Sequence, residues 1–379
     1  VIEKILSLAP NRANDSFFCK LPSSIKIYCV GGAVRDFFLN KKVSDRDYLL
    51  VGADLKTLQQ FNLKAVGKNF PVFLHPETSE EIALARTEKK IGKGYKGFIF
   101  HTDSSVLVEH DLRRRDLTIN AMAVDESGAL LDPFNGRKDI ENKLLKHVSP
   151  SFAEDPLRLM RLARFYACMR NFKIDGQTKS LCRQIIDAGE LKYLSGQRIW
   201  QELSKGLESP DSIKMIRALQ DFKAWKEITG QDFTSHSIAA FLDSTWGCDL
   251  PVNWKAGVIF KNYDITTNLC FFPKRVTNSI ISLKRAERVL RTYSYNLGSK
   301  TILNLAEIGN LFRAPADIPF FLRSVFYRDT DKILVMEKLI SRLIEWPIGD
   351  IVKNTKNKEM LREKIRNARL DFLEKELCK

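Results

Sequence analysis

The chain has 379 residues, with 61 Lys and Arg against 46 Asp and Glu, a formal net charge of +15 and a pI of about 9.4. Hydrophobic residues make up 44%, enough for cores in about two to three domains, which excludes a disordered polyelectrolyte. No uninterrupted apolar run is long enough to span a membrane, and the N-terminus lacks the basic and apolar regions of a secretory signal.

Seven scattered cysteines without a C-x-x-C pair argue for reduced thiols in the cytoplasm, and against a disulfide framework or a zinc site. The basic excess favours a polyanionic partner, most often nucleic acid.

Residues 1–24 read as a helical or loose extension with no functional signal. From Ile25 to Val148 short apolar runs (25–30, 44–51, 71–75, 80–85, 119–124) alternate with helical stretches (33–39, 54–60, 105–114, 135–143), the pattern of an α/β layer domain. Gly31 and Gly32 open a turn into a helix that carries Arg35 and Asp36. Such a turn suits phosphates, because its N–H groups are unpaired and point outward.

The next run, Val43 to Val51, reads as a strand with Asp45 and Asp47 one residue apart. Residues i and i+2 of a strand share a face, so the two carboxylates are expected side by side with Arg46 on the opposite face. Two hard oxygen ligands suit Mg²⁺, which completes its shell with waters and substrate phosphates. Arg86 to Gly97 holds three glycines and five cationic side chains and reads as a mobile basic loop.

Arg113-Arg114-Arg115-Asp116 follows, with Asn120 four residues beyond Asp116. Guanidinium forks fit phosphate oxygens, and Asp116 and Asn120 are placed to fix such a clamp or a sugar. From Ser149 helical periodicity dominates. Glu154-Asp155-Pro156 opens a helix on which Asp155, Arg158, Arg161 and Arg164 recur every three residues, while Leu159, Leu162 and Phe165 can face a core. An Asp accepts from an exocyclic amine and an Arg donates to a ring acceptor. An Asp155–Arg158 pair therefore suits cytosine or adenine, and an i,i+3 salt bridge is the simpler reading of the same spacing. The last helix mixes Arg and Lys with Glu, which fits either a phosphate-binding face or a solvated one.

These motifs together resemble the class II tRNA nucleotidyltransferase/poly(A) polymerase family, and within it the bacterial CCA-adding enzymes. The resemblance rests on GGAVRD with DRDY, the run from Val66 to Lys90, RRRDLTINAMA, LDPFNG and HVSPSFAEDPLRLMRLARF. It covers residues 25 to about 207, while 208–379 match only in being helical.

It implies an α/β, polymerase-β-like nucleotidyltransferase head at 25–148 and an all-α neck, body and tail. The neck, with a base-selecting helix, is placed at 149–210. The tRNA-binding body and tail are placed at 211–379. It further implies that Asp45 and Asp47 hold catalytic Mg²⁺ ions. Gly31, Gly32, Arg35 and Arg115 are implied to bind the nucleotide, and Asp155 and Arg158 to select the base with support from Arg161 and Arg164. The loop 86–97 corresponds to the one that helps the switch from C to A addition. Some relatives add a C-terminal HD phosphohydrolase domain; only His236 lies beyond His147 here, so that activity is expected to be absent.

The expected activity is template-independent addition of C, C and A to the 3′ end of tRNA from CTP and ATP by two-metal catalysis. The acceptor and T arms of tRNA are held by phosphate contact and shape, and no obligate protein partner is expected. Three alternatives stand beside it: an A-adding enzyme that works with a separate CC-adding one, a poly(A) polymerase, and a non-catalytic tRNA-binding protein.

Overall fold

Strand β1 (Lys26–Val30) is the axis of the first half of the chain, because it pairs on both sides. The structure is a computed structural model. It describes residues 5–379 apart from 62, 64, 67–71, 91, 93–97, 102–103, 265–270 and 328, with backbone alone for 88–90, 98–101, 237 and 246. The chain divides into two compact units, Val1–Ser195 with Asp221–Glu227, and Gly196–Gln220 with Ile228–Lys379.

The first unit is built on a seven-stranded mixed sheet of order β3-β4-β5-β2-β1-β8-β9. Its other strands are β2 (Asp47–Val51), β3 (Ala65–Val66), β4 (Val72–Leu74), β5 (Glu81–Leu84), β8 (Ala123–Val124) and β9 (Leu130–Leu131). β1 runs antiparallel to β2 with Val30 opposite Asp47 and Tyr28 opposite Leu49. β2 runs parallel to β5 with Asp47 opposite Glu81. Alternation along β1 and β2 sends Tyr28, Val30 and Leu49 to one face, where Val106, Val108 and Leu112 close a core over them. Tyr48 points to the other face.

That other face is covered by the segment before β1, which the sequence leaves as an extension. Phe17 and Phe18 are 3% and 1% exposed. Phe18 stacks edge-on against Tyr48 at 4.9 Å and His75 at 5.2 Å. Each such ring contributes roughly 1.5–3 kcal/mol of burial. Among the described residues the segment therefore belongs to the head's second core.

Three expectations are corrected locally. The strand expected from Val43 starts only at Asp47, so Asp45 lies in the irregular stretch before it. The apolar run at 119–124 splits into a 3-10 turn, Thr118–Asn120, and the short β8. The loop 86–97 is not structureless at its ends: β6 (Thr87–Lys90) pairs antiparallel with β7 (Phe98–His101). Its tip, apart from Gly92, lies outside the described residues.

After the sheet, helix Leu157–Cys168 carries the arginine series, and its Leu159 and Leu162 are fully buried as the periodicity requires. Residues 149–210, expected to be helical, include β11 (Lys173–Ile174), which pairs in parallel with β10 (Leu144–Leu145). Among the described residues the second unit is helical. Helix Val252–Phe260 lies at its centre, with every residue from Asn253 buried, and packs on Lys274–Thr292. Even Lys255 is 1% exposed there, its Nζ donating to the Leu207 carbonyl at 2.8 Å. In the last helix, Lys358–Leu377, Arg366 pairs with Glu307 and Arg369 lies over the Phe312 ring at 3.5 Å. Part of its charge thus serves packing. No helix among the described residues is long and apolar enough to cross a membrane.

Candidate active site

The site forms where β1 ends. Gly31 has φ +75°, a conformation costly for any side chain, and turns the strand into helix Gly32–Phe38. A Cβ on Gly31 would lie 2.8 Å from the Arg115 Nη1 and 3.8 Å from the Asp47 Oδ2. Glycine therefore leaves room for the guanidinium at the turn, with the carboxylate on the same side. Gly32 has ordinary space around it, with Arg35 Nη2 at 3.5 Å from its built Cβ.

Asp47 is solvent-accessible, yet its carboxyl is pushed up from its ordinary value. Desolvation by the protein around it is the main cause, followed by the negative charge of Glu81, while Arg115 acts in the opposite sense. Asp45 and Glu80 add to the upward push. The parallel β2–β5 pairing brings Glu81 beside Asp47, and the sequence reading missed it. Glu81 lies 34 positions along the chain from Asp47, and no local pattern links them. Asp45 is exposed, and Ser44 Oγ donates to it at 3.1 Å.

The arginines are held by buried acids. Asp111 is fully buried and binds Arg114 and Arg115, the latter at 3.2 Å. Burial favours its neutral form, but the charges of Arg114 and Arg115 outweigh this and hold the carboxyl below its usual range. Asp116 accepts from its neighbour Leu117 N at 2.8 Å, Asn120 Nδ2 at 2.9 Å and Arg161 Nε at 2.7 Å. Burial again opposes ionisation, and Arg161 with these hydrogen bonds overcomes it, so the carboxyl stays well below its ordinary value.

Arg35 is fixed by a two-point bond to Asp36 at 2.9 and 3.0 Å and by Asn120 Oδ1 at 2.7 Å. Arg35, Arg161 and Arg164 all lie over the Phe165 ring, at 5.3, 5.7 and 4.2 Å.

The expected ridge from Asp155 to Arg164 is not one surface. Asp155 precedes the helix in extended backbone and accepts from Leu157 N at 3.0 Å. Arg158 is 8% exposed and turned inward, its Nη1 donating to the Ser151 carbonyl at 2.7 Å and its Nη2 to the Arg114 carbonyl. Arg158 thus turns to backbone carbonyls and Arg161 to Asp116, while Arg161 and Arg164 share the Phe165 ring. A cleft of about 390 Å³ opens beside Arg113, Arg114, Arg158, Ser151 and Glu154.

Residues 27–146 match the Poly A polymerase head domain, and 171–229 match the probable RNA and SrmB-binding site of polymerase A. A multifunctional CCA protein of Alkalilimnicola ehrlichii is 39% identical over 340 residues, 79% of this chain and 82% of that protein. The chain belongs to the class II tRNA nucleotidyltransferase/poly(A) polymerase family.

A multifunctional CCA protein of Neisseria meningitidis serogroup C is 54% identical over 202 residues, 53% of this chain and 48% of the relative. The match thus spans most of one relative and about half of the other. The fold resembles the Thermotoga maritima CCA-adding enzyme complexed with tRNA, with a TM-score of 0.70 at 20% identity, covering 98% of this chain and 94% of that one. It also resembles a CCA-adding enzyme with CTP, with a TM-score of 0.68 at 20% identity over the same shares. The turn at Gly31, Asp47 and the arginine clamp lie within the nucleotidyltransferase head that the family match delimits.

Proposed function

We propose that this protein adds C, C and A to the 3′ end of tRNA from CTP and ATP, with its own side chains in place of a template. The observation that carries this is that Asp47 and Arg115 both flank the side-chain-free Gly31 turn, with Glu81 opposite Asp47 in the sheet. A carboxylate whose charge is disfavoured by its neighbours, in reach of an Arg that is already oriented, is a place for a cation and a polyphosphate. The names of the relatives agree with that chemistry.

Asp45 and Asp47 would hold the divalent metal that the family uses, here Mg²⁺, and Glu81 stands opposite Asp47 in the β2–β5 ladder. Among the described residues no group of three or more His, Cys, Asp and Glu side chains is placed to hold a metal ion, so the protein's share is the two carboxylates. An open set of this kind suits Mg²⁺, which keeps waters and takes substrate phosphates as ligands. When bound, paired Mg²⁺ ions would activate the 3′-hydroxyl of the tRNA and neutralise the triphosphate and the leaving pyrophosphate.

The residues of the head do the rest by positioning. Gly31 and Gly32 let the phosphates approach the backbone. Arg115, braced by Asp111, and Arg35, braced by Asp36 and Asn120, supply positive charge that needs no reorganisation. Asp155 accepts from the exocyclic amine of cytosine or adenine. Arg158 joins it by exchanging the Ser151 carbonyl for the acceptor on the base, while Arg161 holds the helix against Asp116 and Arg164 supports it over the Phe165 ring that Arg35 also meets. Residues 149–210 act as neck, and the helical part beyond binds the acceptor and T arms through phosphate contact and shape. Reduced cysteines fit a cytoplasmic setting.

The test offers tRNA ending at the discriminator base, in C and in CC, each with CTP and ATP. The proposal expects C on the first two and a single A on the third. Addition of A to the CC end with no C on the others would make this an A-adding enzyme. Continued A addition would make it a poly(A) polymerase.

A further inference from the structure

The match to the head domain begins at residue 27, so nothing assigns a role to the segment before it. That segment is built into the head at two places. Arg12 bonds Glu126 at 2.6 Å and donates to the carbonyls of Leu21 and Ile25, and Glu126 also accepts from Ile27 N at 3.2 Å. This fastens it to the start of β1 and to the β8–β9 hairpin. The second place is the aromatic block of Phe17, Phe18, Tyr48 and His75. Asp15 accepts from the backbone N of Phe17 and Phe18 at 2.9 and 2.7 Å and faces His75 Nε2 at 3.1 Å. His75 Nδ1 accepts from the N of Glu77 and Thr78, so its proton sits on Nε2 and is given to Asp15.

These contacts converge on the catalytic strand. Phe18 packs against Tyr48, which directly follows Asp47. Arg46, between the two carboxylates, donates to the Ser7 carbonyl at 3.1 Å. Side chains alternate along an extended chain. The segment thus packs on Tyr48 from the rear of the sheet and holds Arg46 through Ser7, while Asp47 is left to the front. Asp45 stands in irregular backbone before β2 and has no ladder of its own.

We propose that residues 5–21 are a positioning brace for the catalytic carboxylates, acting through Arg46 and Tyr48 from the rear of the sheet. The inference rests on Asp45 and Asp47 holding a divalent cation. Outer partners that orient metal ligands set the metal affinity, and their loss typically weakens it on the order of tenfold or more.

The test uses full-length Phe18→Ala, which removes the ring packed on Tyr48 and His75, and Arg46→Lys, which keeps the charge but loses the guanidinium that donates to the Ser7 carbonyl. Mn²⁺ binding is followed by EPR without tRNA or nucleotide. The Mg²⁺ dependence of CTP incorporation and the tRNA affinity are measured alongside. Both variants should bind Mn²⁺ on the order of tenfold more weakly and need correspondingly more Mg²⁺ for half-maximal rate. Saturating Mg²⁺ should restore turnover, Phe18→Leu should stay near wild type, and tRNA affinity should not move. Wild-type Mn²⁺ affinity in both variants, even with a lowered melting temperature, would leave the segment a structural element and overturn the proposal. Should Phe18→Ala not fold, Arg46→Lys decides alone. Asp47→Ala separates the two levels: Mn²⁺ binding equal to wild type there refutes the metal site itself, and the brace with it.

Discussion

Asp116→Asn isolates one buried charge in the head. Asparagine keeps the shape, and its oxygen can still accept from Leu117 N and Asn120 Nδ2, now at 2.8 and 2.9 Å. Its amide nitrogen then faces the Arg161 Nε that Asp116 holds at 2.7 Å, donor against donor. A hydrogen bond to a charged group is worth about 1.5–3 kcal/mol. Because the Arg161 side chain is 36% exposed, solvent recovers part of this, and the expected loss is about 2 kcal/mol at neutral pH.

The pH dependence follows from the depressed carboxyl of Asp116 in the folded chain. Its contribution is complete above the unfolded value near ~3.9 and is lost as pH falls below that toward the lower folded value. Below ~3.9 the wild type therefore loses about 1.4 kcal/mol per pH unit through this group, and the variant loses nothing. Between pH 6 and pH 3 the gap between the two proteins should shrink by about 1.2 kcal/mol. Hydrogen exchange of a peptide spanning residues 115–125, corrected for intrinsic rates, reads this opening free energy without assuming two-state unfolding. A gap equal at both pH values would refute the charge pairing.

Asp47→Asn should abolish incorporation of CTP and ATP, leave tRNA affinity nearly unchanged, and raise the melting temperature of the metal-free protein. The folded carboxyl of Asp47 is raised, so ionisation is a destabilising load at neutral pH. The gain should fade below about pH 4, where the unfolded Asp is protonated too; a melting temperature equal to wild type at pH 7 would count against it. Gly31→Ala forces a Cβ to 2.8 Å from Arg115 Nη1 at φ +75° and should cost about 1–3 kcal/mol and weaken CTP binding, as calorimetry would show. Asp155→Ala should relax discrimination against UTP and GTP more than it slows CTP addition, because the unmatched-partner penalty disappears; unchanged discrimination refutes its role. Deletion of Lys89 to Lys96 should leave C addition largely intact and stall the product at CC, whereas equal damage to both steps would make the β6–β7 arm structural.

Local structure was legible from the residues alone. Gly31, Asp47, the arginine cluster and the alternation that puts Arg46 opposite Asp47 all follow from spacing, because strand and helix periods act over a few residues. The buried face of helix Leu157–Cys168 follows from the same rule. What required the tertiary structure is every relation that depends on which element lies beside which. Periodicity tells which face a side chain takes but not what meets it, so Glu81 beside Asp47 emerges only from the parallel β2–β5 register. Asp111 stands in a helical stretch with no pattern that marks it, and it is buried beside Val108 and Leu112 under Arg114 and Arg115. Arg158 has the spacing of a surface ridge, and only the nearby carbonyls of Ser151 and Arg114 turn it inward. The segment carrying Arg12 and Phe18 has no motif at all. Its place behind Tyr48 is decided by apolar area and by Glu126, 114 positions away, since burial rewards contact in space and leaves no short-range trace in the chain.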